Sequence, residues 1–397
     1  MKTSVKRKDN KGRILKTGES QRPDGRYEFK YPGTDGKPKF VYSWKLEEHD
    51  SLPKGKRPCQ SLREKEKEIM RDQMDGIDSS RKNMTLCQLY EKHNNLKANV
   101  KKSTVKGRKR LMGMLEKDKI GNMGIEKIKP SDAKEWASRM SHSYSFQTIK
   151  NAKRSLTAAF HTAINDGYVR RNPFDWKLED VIENSTESKA PLTDGQVESL
   201  LSFIKEDSVY SRHYNAILIL LNTGLRNSEL CGLTVSDIDF ENEFINVDHQ
   251  LIKDGDGYSI TPPKTENSIR QIPMSKGVSK AFRRQISDRK QLSAMKIDGH
   301  SNFLFLNDLG KPMYACLYSQ AFTNIVEKYN KSHPGNELPN ITPHLCRHTF
   351  CTNMANKNMA PKTLQYIMGH KNITMTLGYY AHGTSEAAKS ELNRVIS

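Results

Sequence analysis

Aromatic and charged residues alternate in two neighbouring stretches near the start of the chain. GRYEFKY offers Tyr27, Phe29 and Tyr31, KFVYSWKL offers Phe40, Tyr42, Trp44 and Leu46, and the turn-rich PGTDGKP lies between them. A period of two on both sides of a turn predicts a hairpin. GRILK is a candidate third strand, and the aromatics supply a small core for one sheet face. SLREKEKEIMRDQM then opens with Ser61 as N-cap and continues in good helix formers. Farther along, the period lengthens. TLCQLYEKH sets Leu86, Leu89, Tyr90 and His93 at i, i+3, i+4 and i+7, and FQTIKNAKRSLTAAFHTAINDGY carries Ile149, Ala152, Leu156, Phe160 and Ala163 on one stripe before Gly167. These are core stripes of a helical segment, and RRNPFDW with EDVIENSTESKAP reads as its exit and linker.

A third segment opens at LTDGQVESLLSFIK, where Thr193 caps a helix containing Val197, Leu200, Leu201 and Ile204. YNAILILLNTG is apolar enough for a buried helix ending at Gly224. FINVDHQLIKDGDGYSITPPKTENSIRQIPM reads as strands joined by turns, with DGDG the tightest. Helices resume to the end, the last being the amphipathic SEAAKSELNRVI with Ala387, Leu392 and Val395 on its apolar side. The expected fold class is multidomain α+β: a small sheet plus helix over 1–81, an all-α domain over 82–185, and a mostly α domain with a small antiparallel sheet over 186–397.

Charge adds a partner to this outline. The 397 residues carry a formal net charge of +19, distributed as 21 basic against 14 acidic residues over 1–81, 21 against 11 over 82–185, and 23 against 21 over 186–397. A polyanion, nucleic acid or an anionic membrane surface, is therefore expected, charge alone not choosing between them; nucleic-acid attraction would fall mainly on the first two segments, while the third has the balanced composition of an enzyme. Arg26, Lys30, Lys39 and Lys45 beside the N-terminal aromatics make the opposite sheet face a candidate DNA contact. Lys101, Lys102, Lys106, Arg108, Lys109 and Arg110 in KKSTVKGRKR form a second one, although such runs are usually just solvated. No apolar run approaches the ~20 residues that span a bilayer, so a soluble cytoplasmic protein without a membrane partner is expected. Six scattered cysteines offer neither paired CxxC knuckles nor a disulfide framework.

The third segment holds the candidate chemistry. Arg226 follows Gly224 in TGLRNSEL, with Glu229 one turn later. Lys264 lies in a turn between predicted strands, in PPKTENSIRQIP. In ITPHLCRHTF, Thr342 fits an N-cap and Pro343 the first helical position, so His344 and Arg347 share a helix face. His370 follows Gly369 in MGHKNITMTLGYYAH, ahead of Tyr379 and Tyr380. Singly, each has an ordinary explanation: a surface ion pair, a solvated lysine, a chance HxxR, a packed tyrosine. Occurring together and in this order, TGLRNSEL, KTENSIRQIP, HLCRHTF and MGHKNITMTLGYYAH resemble the successive catalytic boxes of the tyrosine recombinases, the phage integrase family. The likeness runs from Pro191 onward. The second segment is similar to that family's core-binding domain, and the basic N-terminal sheet resembles the arm-binding domain of integrases from conjugative transposons and temperate phages.

The resemblance implies an integrase that cuts and rejoins DNA at the ends of a mobile element through a covalent 3′-phosphotyrosyl intermediate. It assigns Arg226 and Arg347 to the non-bridging phosphate oxygens, Lys264 to protonation of the leaving 5′-oxygen, His344 to proton transfer at the nucleophile, and His370 to a hydrogen bond with the phosphate. Glu229 is a supporting candidate, with an ordinary surface carboxylate as the alternative. No metal, ATP or nucleotide cofactor is implied. The implied partners are double-stranded DNA at core, arm and target sites, a second copy at one site and a tetramer in the synaptic complex, an excisionase and a host DNA-bending protein. Only one of two consecutive helical tyrosines can aim at a phosphate, since neighbours point about 100° apart. Spacing from His370 permits both, and the family's habit of a histidine two positions later, here His382, selects Tyr380, with Tyr379 as packing beside Met375. Three rival readings remain. A chromosome-dimer resolving recombinase would not carry the N-terminal sheet. An integrase-like DNA-binding protein without catalysis would lack a member of the set, and none is lacking. A type IB topoisomerase would relax supercoils as a monomer.

Overall fold

The computed structural model describes residues 7–33, 36–74, 84–97, 99–185, 190–255, 257–263, 268–288 and 295–380. They pack into two compact units, Met1–Glu187 and Ser188–Ser397.

The first unit contains two separate apolar cores. Near its start, β1 (Glu19–Gln21), β2 (Tyr27–Pro32) and β3 (Pro38–Ser43) form an antiparallel sheet in that order. Phe29 faces Val41, and Lys30 faces Phe40 across the β2–β3 ladder. Alternation puts Tyr27 and Phe29 beneath α1 (Leu62–Met74), where Leu15, Leu46, Leu62 and Ile69 complete the core. Ser61 caps α1, accepting from the Glu64 backbone at 3.3 Å while its own N–H donates to the Glu64 carboxylate at 2.8 Å. Two expectations fail here. The third strand is β1 rather than GRILK, whose Ile14 is exposed and makes only an isolated bridge to Lys8. Phe40 and Tyr42 belong to the outer face and are exposed, because the β2–β3 register pairs them with Lys30 and Glu28 instead of with the core aromatics.

The helical core of this unit is built by α2 (Leu86–Asn95), α3 (Lys102–Glu116), α4 (Pro130–Ser141) and α5 (Phe146–Asn165). Leu86, Leu89, Tyr90 and His93 are buried on α2, and Ile149, Ala152, Leu156, Phe160 and Ala163 on α5, as their spacing requires. Phe174 is fully buried between Trp136 and Phe160, with ring centroids 5.8 and 5.6 Å away. RRNPFDW is thus part of the core rather than an exit, because its aromatics have no other apolar surface to cover.

The second unit starts with α6 (Asp194–Glu206), whose N-cap Thr193 and Gln196 form a reciprocal capping box. Next come α7 (Tyr214–Thr223) and α8 (Asn227–Gly232). Then follow β4 (Ile238–Asp239), β5 (Phe244–Val247), β6 (Gln250–Asp254), β7 (Gly257–Thr261) and β8 (Arg270–Pro273), arranged as a three-stranded sheet β4-β5-β8 and a hairpin β6-β7. The chain continues as α9 (Lys276–Ser287), α10 (Ala315–Ser332), α11 (Pro343–Asn356), α12 (Pro361–Met368) and α13 (Ile373–Leu377). The apolar α7 packs against α9 and α11. It stops at Gly224 in the left-handed conformation, φ 66°. SEAAKSELNRVI lies outside the described residues.

Candidate active site

Arg226 sits at the N-cap of α8 in extended backbone, φ −74° and ψ 148°. Its backbone N–H donates to Glu229 at 2.9 Å, Nη1 to the same carboxylate at 2.6 Å, and Nη2 to the Gly369 carbonyl at 2.7 Å. Glu229 is only 2% exposed and not a surface carboxylate. Burial pushes its carboxyl up, but the charges and hydrogen bonds of Arg270 and Arg226 prevail and hold it below the ordinary range.

Arg347 is buried on α11 and donates to the carbonyls of Gly224 and Met368. Burial, helped by the charges of Arg226 and Arg270, pulls it down to about 9, so it remains cationic at neutral pH. Together with Arg270, whose Nε donates to the Ile367 carbonyl at 2.6 Å, the two arginines complete a pattern. Three successive carbonyls at the end of α12, those of Ile367, Met368 and Gly369, each accept from a different guanidinium. Terminal helix carbonyls have no intrahelical donors and carry partial negative charge, so they order three cations side by side.

Two left-handed glycines allow the close approach. A Cβ on Gly224 would lie 2.7 Å from Met368 Sδ and from Phe350 Cδ1. At Gly369, φ 59°, it would lie 3.2 Å from the Arg270 guanidinium. His370 follows directly. It is buried, and its Nδ1 lies 3.0 Å from Thr376 Oγ1. Burial, then the charges of Arg347, Arg226 and Arg270, pulls its imidazole down to about 4, so it is neutral at pH 7. Thr342 caps α11 as expected, accepting from Leu345 N at 3.2 Å. His344 is exposed in the first turn, one turn before the buried Arg347.

The tyrosines differ from the expectation. α13 ends at Leu377, and Tyr379 and Tyr380 follow in a turn, so helical facing does not govern them. Met375 is 58% exposed and is not what Tyr379 packs on, but Tyr379, like Tyr380, is packed against the core of the second unit. The Tyr379 ring lies 5.0 Å from that of His348, tilted by 59°, and 6.5 Å from that of His370, nearly parallel at 16°. Its hydroxyl is pushed up by burial and by Cys351, and pulled down by the Arg347 charge. Tyr380 instead donates its hydroxyl to the Met359 carbonyl. Lys264 and His382 lie outside the described residues.

Sequence reading missed Arg270, although it left a signal. In RQIP the period of two places Arg270 on the same strand face as buried Ile272, and a strand arginine on the core side requires an anion or carbonyls. His348 and Thr376 left no comparable trace. A metal has little to bind among the described residues. Donor atoms of Asp237, Asp248 and His249 come within 4.8 Å of one another. Asp237, however, accepts from the Thr234 N–H and hydroxyl, and His249 Nε2 lies 2.8 Å from the Gly232 carbonyl.

The basic candidates in the first unit are spread over two surfaces. On the outer sheet face, Arg26 lies 5.6 Å over Tyr42 and 5.7 Å over Trp44, and Lys30 lies 6.0 Å over Phe40. Arg26 also pairs with Asp24, and Lys45 donates to the Glu48 carbonyl. Lys39 is paired with Tyr31 and therefore lies on the α1 side of the sheet. Lys101, Lys102, Lys106, Lys109 and Arg110 are exposed. Arg108 turns inward to the carbonyls of Asn94 and Lys97, both at 3.1 Å. Beside them runs a groove of about 850 Å³ whose lining includes Lys97, Arg110, Asn151, Arg154 and Ser155.

Comparison with known proteins decides the family. Residues 191–387 match the phage integrase family model, and residues 3–73 match the DNA binding domain of Tn916 integrase. The transposase from transposon Tn1545 of Streptococcus agalactiae is 55% identical over 394 residues, covering 99% of this chain and 97% of that one. The chain belongs to the phage integrase family. As an integrase, it is a tyrosine recombinase that breaks and rejoins DNA strands in the site-specific integration and excision of a mobile element. The transposase from transposon Tn916 of Enterococcus faecalis is equally similar, at 55% identity and the same coverage. Among solved structures, Tn1549 transposon integrase (residues 82–397) in complex with circular intermediate DNA is 54% identical, with TM-score 0.75, over 79% of this chain and 100% of that one. A lambda integrase dimer bound to a core site, at 14% identity and TM-score 0.56, shares the fold.

Proposed function

We propose that Arg226, Lys264, His344, Arg347, His370 and one tyrosine cleave a DNA strand in the second unit, and that the tyrosine is Tyr380. The observation that carries this reading is the convergence at the end of α12. Arg226 and Arg347 are ordered there by adjacent carbonyls, and the two tyrosines that follow α13 both pack against the same core. The His382 spacing favours Tyr380, whose hydroxyl exchanges the Met359 carbonyl for the phosphate, while the Tyr379 ring stays packed 5.0 Å from that of His348.

The Tyr380 oxygen attacks the scissile phosphorus. A P–O bond to tyrosine forms, the P–O5′ bond breaks, and the 3′-phosphate stays on the enzyme. Free tyrosine has a pKa near ~10, so the attacking oxygen needs a proton acceptor and positive potential. His344 supplies the first, and Arg347 contributes to the second. Arg226 and Arg347 offer forked donors to the non-bridging oxygens as charge builds in the transition state. His370 Nδ1 is 3.0 Å from Thr376 Oγ1, and we assign the neutral ring's proton to Nε2, from which it donates a hydrogen bond to the phosphate. Lys264 protonates the departing 5′-oxygen as a general acid. Attack by a 5′-hydroxyl of another strand reverses these steps and completes exchange.

The domain reading that fits this chemistry is 1–81 for arm sites, 82–185 for the core site and 186–397 for catalysis. The outer sheet face of Arg26, Lys30, Phe40 and Tyr42 supports the first assignment, and the basic groove beside α3 the second. Two copies on one core site and four in the synaptic complex, acting in the cytoplasm with an excisionase and a host DNA-bending protein, complete the proposal. The relatives give it partial support: lambda integrase has been solved as a tetramer bound to a Holliday junction.

To test it, the full chain is mixed with nicked duplexes of random sequence, and DNA that stays attached through SDS is recovered and sequenced. Wild type and Tyr379→Phe should form adducts at a shared sequence, and Tyr380→Phe should form none. Adducts with Tyr380→Phe but not with Tyr379→Phe would overturn the choice of nucleophile, and no adduct with any of the three would overturn cleavage.

A further inference from the structure

We propose that Arg270 is a positioning residue for strand cleavage, an inference that rests on reading this site as a phosphodiester-cleaving centre. Arg270 has a side chain with no solvent exposure. Its Nη1 and Nη2 donate to the two Glu229 oxygens at 3.2 and 2.9 Å, Nη1 also to the Ser268 carbonyl at 2.9 Å, and Nε to the Ile367 carbonyl at 2.6 Å. Burying a guanidinium is costly. An apolar side chain beside Ile272 would satisfy the packing of β8, so the cation serves something else.

The contacts indicate what that is. Each Glu229 oxygen is shared between the two arginines. Oε1 accepts from Arg226 Nη1 and Arg270 Nη1, and Oε2 from the Arg226 backbone and Arg270 Nη2. Arg270 is also the strongest opposing charge that keeps Glu229 ionised against its burial. Through Nε it holds α12 two residues before Gly369, whose carbonyl orients Arg226 and whose successor is His370. One planar fork therefore fixes both ends of the Arg226 side chain, its carboxylate anchor and its carbonyl anchor, without lying among the reacting groups. A lysine retains the charge at this position but cannot span Glu229, Ser268 and Ile367 together. Glu229 would then draw on Arg226 alone and pull it away from Gly369.

The test compares full-length wild type, Arg270→Lys and Glu229→Gln in single-turnover cleavage of the nicked duplex that gives wild-type SDS-stable adducts. Each protein cleaves it with either an ordinary or a methylphosphonate linkage at the scissile position. The neutral methylphosphonate lacks one of the oxygens whose charge Arg226 and Arg347 offset, so misaligning Arg226 harms its cleavage less. The phosphodiester-to-methylphosphonate rate ratio should fall at least fivefold in both variants. This ratio does not depend on how much of each variant folds, and a merely structural arginine would lower both rates alike. An unchanged ratio with an active wild type overturns the inference, whereas a wild type that forms no adduct overturns the reading of the site on which it rests.

Discussion

Arg226 could be singled out in the sequence because it follows a glycine stop, and Arg347 because it stands three residues after a histidine on a capped helix. Tyr379 and Tyr380 lie in a turn whose geometry no periodicity encodes, since α13 ends before either residue. Arg270 was half legible, on the core side of a strand. Another buried carboxyl lies in the first unit. Glu66 on α1 is 4% exposed and interacts with Glu19 on β1, near Lys16 and the Arg63 guanidinium that pairs with Glu19. Burial first, then the Glu19 charge, pushes the Glu66 carboxyl from 4.5 up to about 7. Against its own burial, Glu19 is held below the usual carboxylate range by its hydrogen bonds to Arg63 and Lys16 N. The folded state therefore binds the Glu66 proton more tightly than the unfolded state does. That stabilisation is complete below pH 4.5 and is lost as pH rises through 7. Urea unfolding of the full chain should show a first-unit transition that weakens between pH 5 and 8, and Glu66→Gln should flatten this decline. An equal slope in the variant would place the proton elsewhere.

At the scale of elements, the stripes of α2 and α5 and the caps of α1, α6 and α11 were legible because burial and capping are local demands. The strand GRILK and the exit RRNPFDW were misread because register and aromatic packing depend on distant partners. The glycines illustrate the same difference. Gly224→Ala must hold a left-handed backbone with its Cβ 2.7 Å from Met368 and Phe350 atoms. We expect a loss of about 2 kcal/mol in unfolding free energy, slightly more than the cost of a left-handed residue alone. Gly113→Ala lies inside α3 with no atom within 4 Å of the new Cβ, and should gain roughly 0.5–1 kcal/mol. Opposite signs in parallel chemical denaturations support the assignment, and equal signs contradict it.

For the whole molecule, the excess charge lies on the first 185 residues, while the chemistry lies beyond them. Affinity and cleavage should therefore separate on mutation. Replacing Lys101, Lys102, Lys106 and Lys109 with glutamine should flatten the plot of log binding constant against log salt by about 0.9 for each lysine that contacts a phosphate. Cleavage at saturating enzyme should persist. An unchanged slope would remove α3 from the DNA surface. The central claim, that this chain cuts DNA with Tyr380, is tested most directly by locating the covalent bond itself. Trypsin should release Asn372 to Lys389 as one peptide containing both tyrosines, and fragmentation of the adducted peptide by mass spectrometry separates them. The nucleotide remnant should ride on Tyr380. A remnant on Tyr379 would contradict the register on which this account rests, and a remnant on neither tyrosine would contradict the chemistry.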